Sequence, residues 1–362
     1  MANKLIQAVA GAGKTYTITH NLQSEKRYLF LSFTRENVKN LRRNLADNKD
    51  DSIQVSAATF STFVINWLFF PFLSSIEPRL VDFKGNFTTE EATNDSRKAA
   101  YYTIQEARHY LNSSGLAYLN RLSKLINRQN SKYLKKAFKR LSRFVDVLVI
   151  DEFQDLLGED FKLVCKLMKQ NQVEVIIVGD IFQTDVTKSN FKEKNSPLSD
   201  IKSEEALRDF IAKKMGRRVL VDTNSLKRSR RISESVANFV TSHLHVAIES
   251  NKDHDGDVHI IKELDSLYSL MEKQHHVLGY RRPDELFGNQ IYNTWQYTKG
   301  DEFSDVVVIL SQKAEDYLKN DSVKLRGSTR NKLYVAMTRT LSDLYIVPFS
   351  VWKQAKLRIN PH

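Results

Sequence analysis

The segment Ala8-Val-Ala-Gly-Ala-Gly13-Lys14-Thr15 places small residues ahead of a lysine and a hydroxyl. Small side chains let successive backbone N–H groups close around phosphate oxygens. Ala10, Gly11, Ala12, Gly13, Lys14, Thr15 and Tyr16 are therefore the candidate nucleotide-binding residues, with Lys14 reaching the β/γ-phosphates and the Thr15 hydroxyl ligating Mg²⁺. A second constellation, Val147-Leu-Val-Ile-Asp151-Glu152-Phe-Gln154-Asp155, sets adjacent carboxylates at the end of an apolar run. Hydrolysis of a nucleoside triphosphate needs one carboxylate on the metal and another to polarise the attacking water, which are the roles read for Asp151 and Glu152.

These groups need elements to hold them. Leu5 to Val9 reads as a strand, the glycine loop follows, and Tyr16 to Gln23 reads as a helix, so the loop has its required context. A second strand is read over Tyr28 to Phe33, and Val147–Ile150 and Val173–Val178 are continuous apolar runs of the kind found in buried parallel strands. From about 71 to 144 the sequence turns polar and rich in Lys and Arg, with Leu134, Ala137, Phe138 and Leu141 at helical spacing. The polar tract 188–203 reads as a linker, and Arg218 to Val221 as the start of a second strand–helix series that ends with Val306–Leu310 and Leu344–Val347. The expected class is α/β: a first lobe over 1–70 and 144–200, a helical insertion over 71–143, and a second lobe over 201–362.

Composition sets the outer bounds. With 362 residues, 41% hydrophobic and 27% charged, 12 Gly and 6 Pro, the chain has the make-up of a folded protein rather than a disordered or collagen-like one. Cys165 is the only cysteine, which excludes an intrachain disulfide and argues against a cysteine-based zinc site; the scattered histidines lack ligand spacing. The most apolar stretch, Val64 to Leu73, is broken by Asn66 and Pro71 and is far too short to span a bilayer, and no secretory leader is read. The expectation is a cytoplasmic protein without membrane contact. A net charge of +12 favours a polyanionic partner.

Asp151-Glu-Phe-Gln-Asp155 resembles the second motif of superfamily 1 helicases of the UvrD/Rep type, and further motifs follow in that family's order. Leu31-Ser-Phe33-Thr34-Arg35-Glu-Asn37 resembles motif Ia, Ala58-Thr59-Phe60-Ser61-Thr62-Phe63 the next element, and Val178-Gly-Asp180-Ile-Phe-Gln183 motif III. Leu226-Lys-Arg-Ser-Arg230-Arg231 resembles motif IV, the stretch Thr294 to Phe303 motif V, and Leu333-Tyr-Val-Ala-Met-Thr338-Arg339 motif VI. The resemblance implies two tandem RecA-like P-loop domains with ATP and Mg²⁺ between them. It further implies that Gln183 senses the γ-phosphate, Arg231 and Arg339 clamp the transferred phosphoryl group, Arg230 lies at the base and Glu302 approaches the ribose. The implied activity is ATP-driven movement on single-stranded or partly duplex DNA, with 3′ to 5′ polarity. An alternative is a nucleotide- and DNA-sensing subunit of a nuclease-containing complex, such as a Gabija-like anti-phage system, with a nuclease or other protein as partner.

The departures are informative. The segment after Gln183 lacks the family's stacking aromatics, so the expected DNA contacts are Phe33, Phe63 and Trp295 for bases and Thr34, Arg35 and Thr59 for phosphates. The family's histidine in motif V is replaced by Gln296 and its stacking tyrosine in motif IV by Arg230. Between Arg231 and Thr294 the chain is too short for the family's large helical subdomain, leaving at most a vestige near 245–290. The stretch Arg121 to Arg143 carries many cations and no acid, and Lys135, Lys136, Lys139 and Arg140 are expected along a phosphate backbone.

Overall fold

The apolar runs become strands because covering both faces of a parallel sheet needs side chains that are apolar throughout. Val147–Asp151 is buried at every position, and Arg27–Ser32 at all but its first. The computed structural model describes residues 2–47, 50, 52–99, 101–184, 196–199, 201, 203–296, 298–320 and 322–360. Its first sheet has six strands in the order Gln54–Thr59, Arg27–Ser32, Val147–Asp151, Glu174–Gly179, Lys4–Ala8 and Leu220–Leu226. All five pairings are parallel. The second sheet, also parallel, has five strands in the order Val258–Ile260, Leu344–Val347, Val306–Ile309, His276–Gly279 and Ile291–Thr294. Two parallel α/β sheets with a phosphate loop in the first make the tandem RecA-like architecture expected of the sequence.

Helices cross over between strands, and the loops that precede them carry the chemistry. Arg35–Ala46 starts where the Thr34 hydroxyl accepts a hydrogen bond from Asn37 N, and it buries Val38, Leu41 and Leu45 while leaving Arg35, Lys39 and Arg42 exposed. Such a cap contributes about 1 kcal/mol. Gly327–Met337 is buried almost all round, which fits a helix lodged between the two sheets.

Three expectations need correction. Leu220–Leu226 does not open the second lobe: it pairs with Lys4–Ala8 at the edge of the first sheet, with Leu220 opposite Lys4. The insertion is not helical throughout, since among its described residues Leu119–Arg128 and Ser131–Leu141 are the only longer helices. The described residues of 76–118 run through turns, one short helical turn at Ala107–His109 and the short paired strands Phe87–Thr88 and Ala117–Tyr118. Gly115 at φ +76° shows why: a Cβ there would lie 2.4 Å from Asp82 O, so the chain folds back tightly instead of winding into a helix. The region near 245–290 is no vestige of an accessory subdomain either. Val258–Ile260, the helix Leu264–Leu270 and His276–Gly279 are working parts of the second sheet. Most of the tract read as a linker, and the segment that follows Thr184, lie outside the described residues.

Candidate active site and nucleic-acid groove

The phosphate loop joins the strand Lys4–Ala8 to the helix Lys14–His20, and Gly11 (φ +73°) and Gly13 (φ +72°) take left-handed conformations that side chains resist. A Cβ at Gly11 would lie 2.7 Å from both Arg231 Cβ and Ser229 Oγ, so only glycine lets the segment around Arg230 press on the loop. Arg230 N donates to Gly11 O at 2.8 Å, and Ala10 N donates to the Tyr334 hydroxyl at 2.8 Å. Ala12 is buried, Thr15 is partly exposed and Tyr16 is exposed, its ring stacked on His20.

At the end of Val147–Asp151 the chain reverses at Glu152, whose φ of +56° is costly for a residue with a side chain, about 1–2 kcal/mol. The reversal brings the Glu152 carboxylate against Lys14, which also pairs with Asp151 at 3.1 Å. Lys299 approaches from motif V, with 2.8 Å bonds to both Asp155 oxygens and 3.6 Å to Glu152. Burial alone would raise the Glu152 carboxyl, but Lys14 and Lys299 outweigh it and hold the group at about 2. Asp151 is displaced upward because burial outweighs the pull of Lys14. Burial opposes the charge on Lys14, yet Asp151 and Glu152 keep its ammonium above the ordinary lysine value.

Gln183 donates its side-chain amide to Asp180 at 2.9 Å, and the Tyr334 hydroxyl donates to the same carboxylate oxygen at 3.0 Å. Burial pushes Asp180 up to about 6. Arg231 meets Glu302 through two N–H groups at 2.9 and 2.6 Å, so Glu302 holds an arginine here. Arg339 is 1% exposed and, among the described residues, its guanidinium donates only to the carbonyls of Val335, Thr298 and Asp301. Burial, and then the nearby Arg231, lower its guanidinium to about 9. Among the described residues no carboxylate pairs with it, which leaves a buried cation suited to an incoming anion.

The loop, Glu152, Gln183, Arg230, Arg231, Lys299, Glu302 and Arg339 surround one cleft of about 740 Å³. No cluster of three or more acidic, His or Cys side chains among the described residues could hold a metal by itself. The buried Asp151 carboxylate and the Thr15 hydroxyl fit a hard cation that draws its other ligands from phosphates and water.

The expected DNA contacts divide. Phe33, Thr34, Arg35 and Thr59 line a groove of about 860 Å³ between the first sheet and the insertion, together with Lys39, Arg42, Thr62 and Phe87, which sequence reasoning missed. Lys39 and Arg42 were signalled by their helical spacing from Arg35. Phe63 and Trp295 are corrections: both are 0% exposed. Phe63 packs on Phe60, and the Trp295 indole donates to Leu278 O at 3.2 Å. Lys135, Lys136 and Lys139 are exposed on Ser131–Leu141, whereas Arg140 is half-buried with its guanidinium 5.5 Å from the ring centres of Trp67 and Phe144.

A fold of two parallel sheets with a phosphate loop, paired carboxylates and arginines about one cleft defines a helicase-type P-loop NTPase. Comparison with family models agrees: residues 2–187 match an AAA domain, and residues 103–348 match the viral superfamily 1 RNA helicase core domain. The chain belongs to the superfamily 1 helicases. No curated protein matches it. Among solved structures, the arterivirus nonstructural protein 10 helicase in complex with DNA is similar at 12% identity and a TM-score of 0.46, over 95% of this chain and 60% of that one. The PRRSV nsp10 helicase is similar at 12% identity and a TM-score of 0.23, over 96% of this chain and 54% of that one. The chain thus spans 60% or less of these helicases.

Proposed function

We propose that this chain hydrolyses ATP with Mg²⁺ between its two lobes and uses the cycle to move 3′ to 5′ along single-stranded DNA, in the manner of the UvrD/Rep helicases. The observation that carries the reading is Arg339: a buried guanidinium on the second lobe, bonded among the described residues only to carbonyls, lining the same cleft as Lys14 and Glu152. In this reading Lys14 exchanges its carboxylate partners for the β- and γ-phosphates. Glu152, ionised at neutral pH, orients a water for attack on the γ-phosphorus and accepts its proton as the bond to the β–γ bridging oxygen breaks, giving ADP and phosphate. A cation held by Thr15 and Asp151 would neutralise phosphate charge. Arg339 and Arg231 meet the charge that builds on the transferred group, and Gln183, steadied by Asp180, faces the γ-phosphate. Arg35, Lys39 and Arg42 supply phosphate contacts in the groove, and Phe33 and Phe87 offer apolar surface to bases.

Steady-state ATP hydrolysis, measured with and without a single-stranded DNA oligonucleotide, tests the reading. Turnover should rise with DNA, Lys14→Ala should abolish it, and Glu152→Gln should keep ATP binding while stopping hydrolysis. Near-normal turnover in either variant would overturn the assignment.

A further inference from the structure

The phosphate loop leaves the carboxyl end of Lys4–Ala8, so the nucleotide cleft lies at the end of the first sheet where parallel sheets bind ligands. The opposite end, where Lys4–Ala8 and Leu220–Leu226 begin, carries a different surface. Asn3 ties it together: its carbonyl accepts from Leu220 N at 2.9 Å, and its side-chain amide donates to Met168 O and Gln170 O at 2.8 and 2.9 Å. The helices Gly158–Lys169 and Glu204–Lys214 pack alongside, with the Phe161 and Phe210 rings 6.1 Å apart. Burial raises the Cys165 thiol, and the charges of Lys169 and Lys214, one at the end of each helix, both pull against it, which places the two ammonium groups at this corner. Exposed cations gather there: Lys169, Lys213, Lys214, Arg217 and Arg218. Among the described residues none of them has a carboxylate partner, whereas Asp222 is held by Lys4 at 2.8 Å and Glu174 by Lys26 at 3.2 Å. Apolar surface lies beside these charges. Leu220 is 56% exposed, and with Ala212, Val219 and Val221 it lines an open hollow of about 410 Å³ whose rim includes Arg217 and a single unpaired acid, Asp209. Arg208 donates to Val221 O at 2.8 Å and to Thr223 Oγ1 at 3.1 Å, so the outer edge of Leu220–Leu226 is capped there and does not invite another strand.

We propose that this corner docks an acidic segment of a partner protein, with an aliphatic side chain of the segment filling the hollow beside Leu220 and its carboxylates meeting Lys213, Lys214, Arg217 and Arg218. The occupant follows from complementarity. Cations without partners call for anions, and the apolar hollow they flank calls for an aliphatic group, which a sugar-phosphate backbone does not carry. An apolar centre inside a charged rim is also the ordinary make-up of a protein–protein contact. Because the edge of the strand is capped by Arg208, the segment is held through its side chains and not by extending the sheet. The corner faces away from the cleft and from the groove beyond Arg27–Ser32, so a docked partner leaves both open, and the inference stands apart from the ATP and nucleic-acid readings.

Fluorescence anisotropy of the full chain with two short labelled peptides tests the site, one rich in Glu with Leu spaced along it and the other with Ser in place of each Leu. The leucine peptide should bind about tenfold more tightly than the serine peptide, a preference that Leu220→Ser erases. The double variant Arg217→Glu with Arg218→Glu should weaken both peptides by about tenfold or more while keeping the thermal transition of the wild type. Equal affinity for the two peptides, a preference that survives Leu220→Ser, or no binding of either peptide by the wild-type chain would overturn the docking site. A blunt DNA duplex that displaces the leucine peptide and loses its own affinity in the double variant would assign the corner to nucleic acid and overturn the proposal equally.

Discussion

Glu152 and Asp180 are carboxylates at the ends of neighbouring strands, and their surroundings set them in opposite directions. Two ammonium groups hold Glu152 at about 2, whereas Asp180, buried and supported only by neutral donors and distant Lys14, sits at about 6. As pH rises through 6, Asp180 ionises and becomes the stronger acceptor for Tyr334 and Gln183. The expected outcome is a kcat/KM for ATP that climbs with pH through an acid limb near 6, a limb that Asp180→Asn removes; an unchanged limb in the variant would clear Asp180 of the role. Stability runs the other way. The folded carboxyl keeps its proton up to about 6 while the unfolded one loses it near 3.8, so this group's contribution to stability falls as pH rises between those values. Asp151 and Glu152 were readable as adjacent carboxylates closing an apolar run, and the structure sets both beside Lys14, whereas Gln183 was reached only through the family resemblance. The burial of Phe63, which closes the short helix Phe60–Phe63, and of Trp295, just past the strand Ile291–Thr294, was not readable, since an aromatic side chain at the end of an element serves equally as core or as surface and the packing around it decides.

The helix Ser131–Leu141 shows what an element's pattern does and does not reveal. Tyr133, Leu134, Ala137, Phe138 and Leu141 are buried, which turns Lys132, Lys135, Lys136 and Lys139 to solvent. Replacing Lys135, Lys136 and Lys139 by Ala should flatten the salt dependence of single-strand binding by roughly 2 in log–log slope. If titrations at several salt concentrations give the wild-type slope, the face is only solvated. Helical spacing was readable here because it is local. Leu220–Leu226 was misassigned because membership of a sheet is not local: its pairing with Lys4–Ala8 joins residues more than 200 positions apart, and its half-exposed edge pattern names no partner. The loops of the insertion follow from close approaches such as Gly115 against Asp82, which no periodicity encodes.

At the scale of the whole molecule, the lobes meet through buried polar contacts made by motif residues and their neighbours in the chain. Tyr334 reaches the phosphate loop and Asp180, Asn331 donates to Thr184 O, Arg330 donates to Ile201 O, and Lys299 pairs with Asp155. The last is an ion pair of low exposure, with side chains 18% and 5% accessible. Removing one member of a buried pair costs about 3–5 kcal/mol, whereas replacing both with apolar groups of similar volume is nearly neutral. Lys299→Met should therefore lower the first thermal transition by roughly 5 °C, and the double variant Lys299→Met with Asp155→Leu should recover most of that loss. Scanning calorimetry of the nucleotide-free chain reads both outcomes. A single variant that melts with wild type would show that the pair carries no load between the lobes, leaving Tyr334 and its neighbours on Gly327–Met337 to hold the cleft in register before ATP arrives.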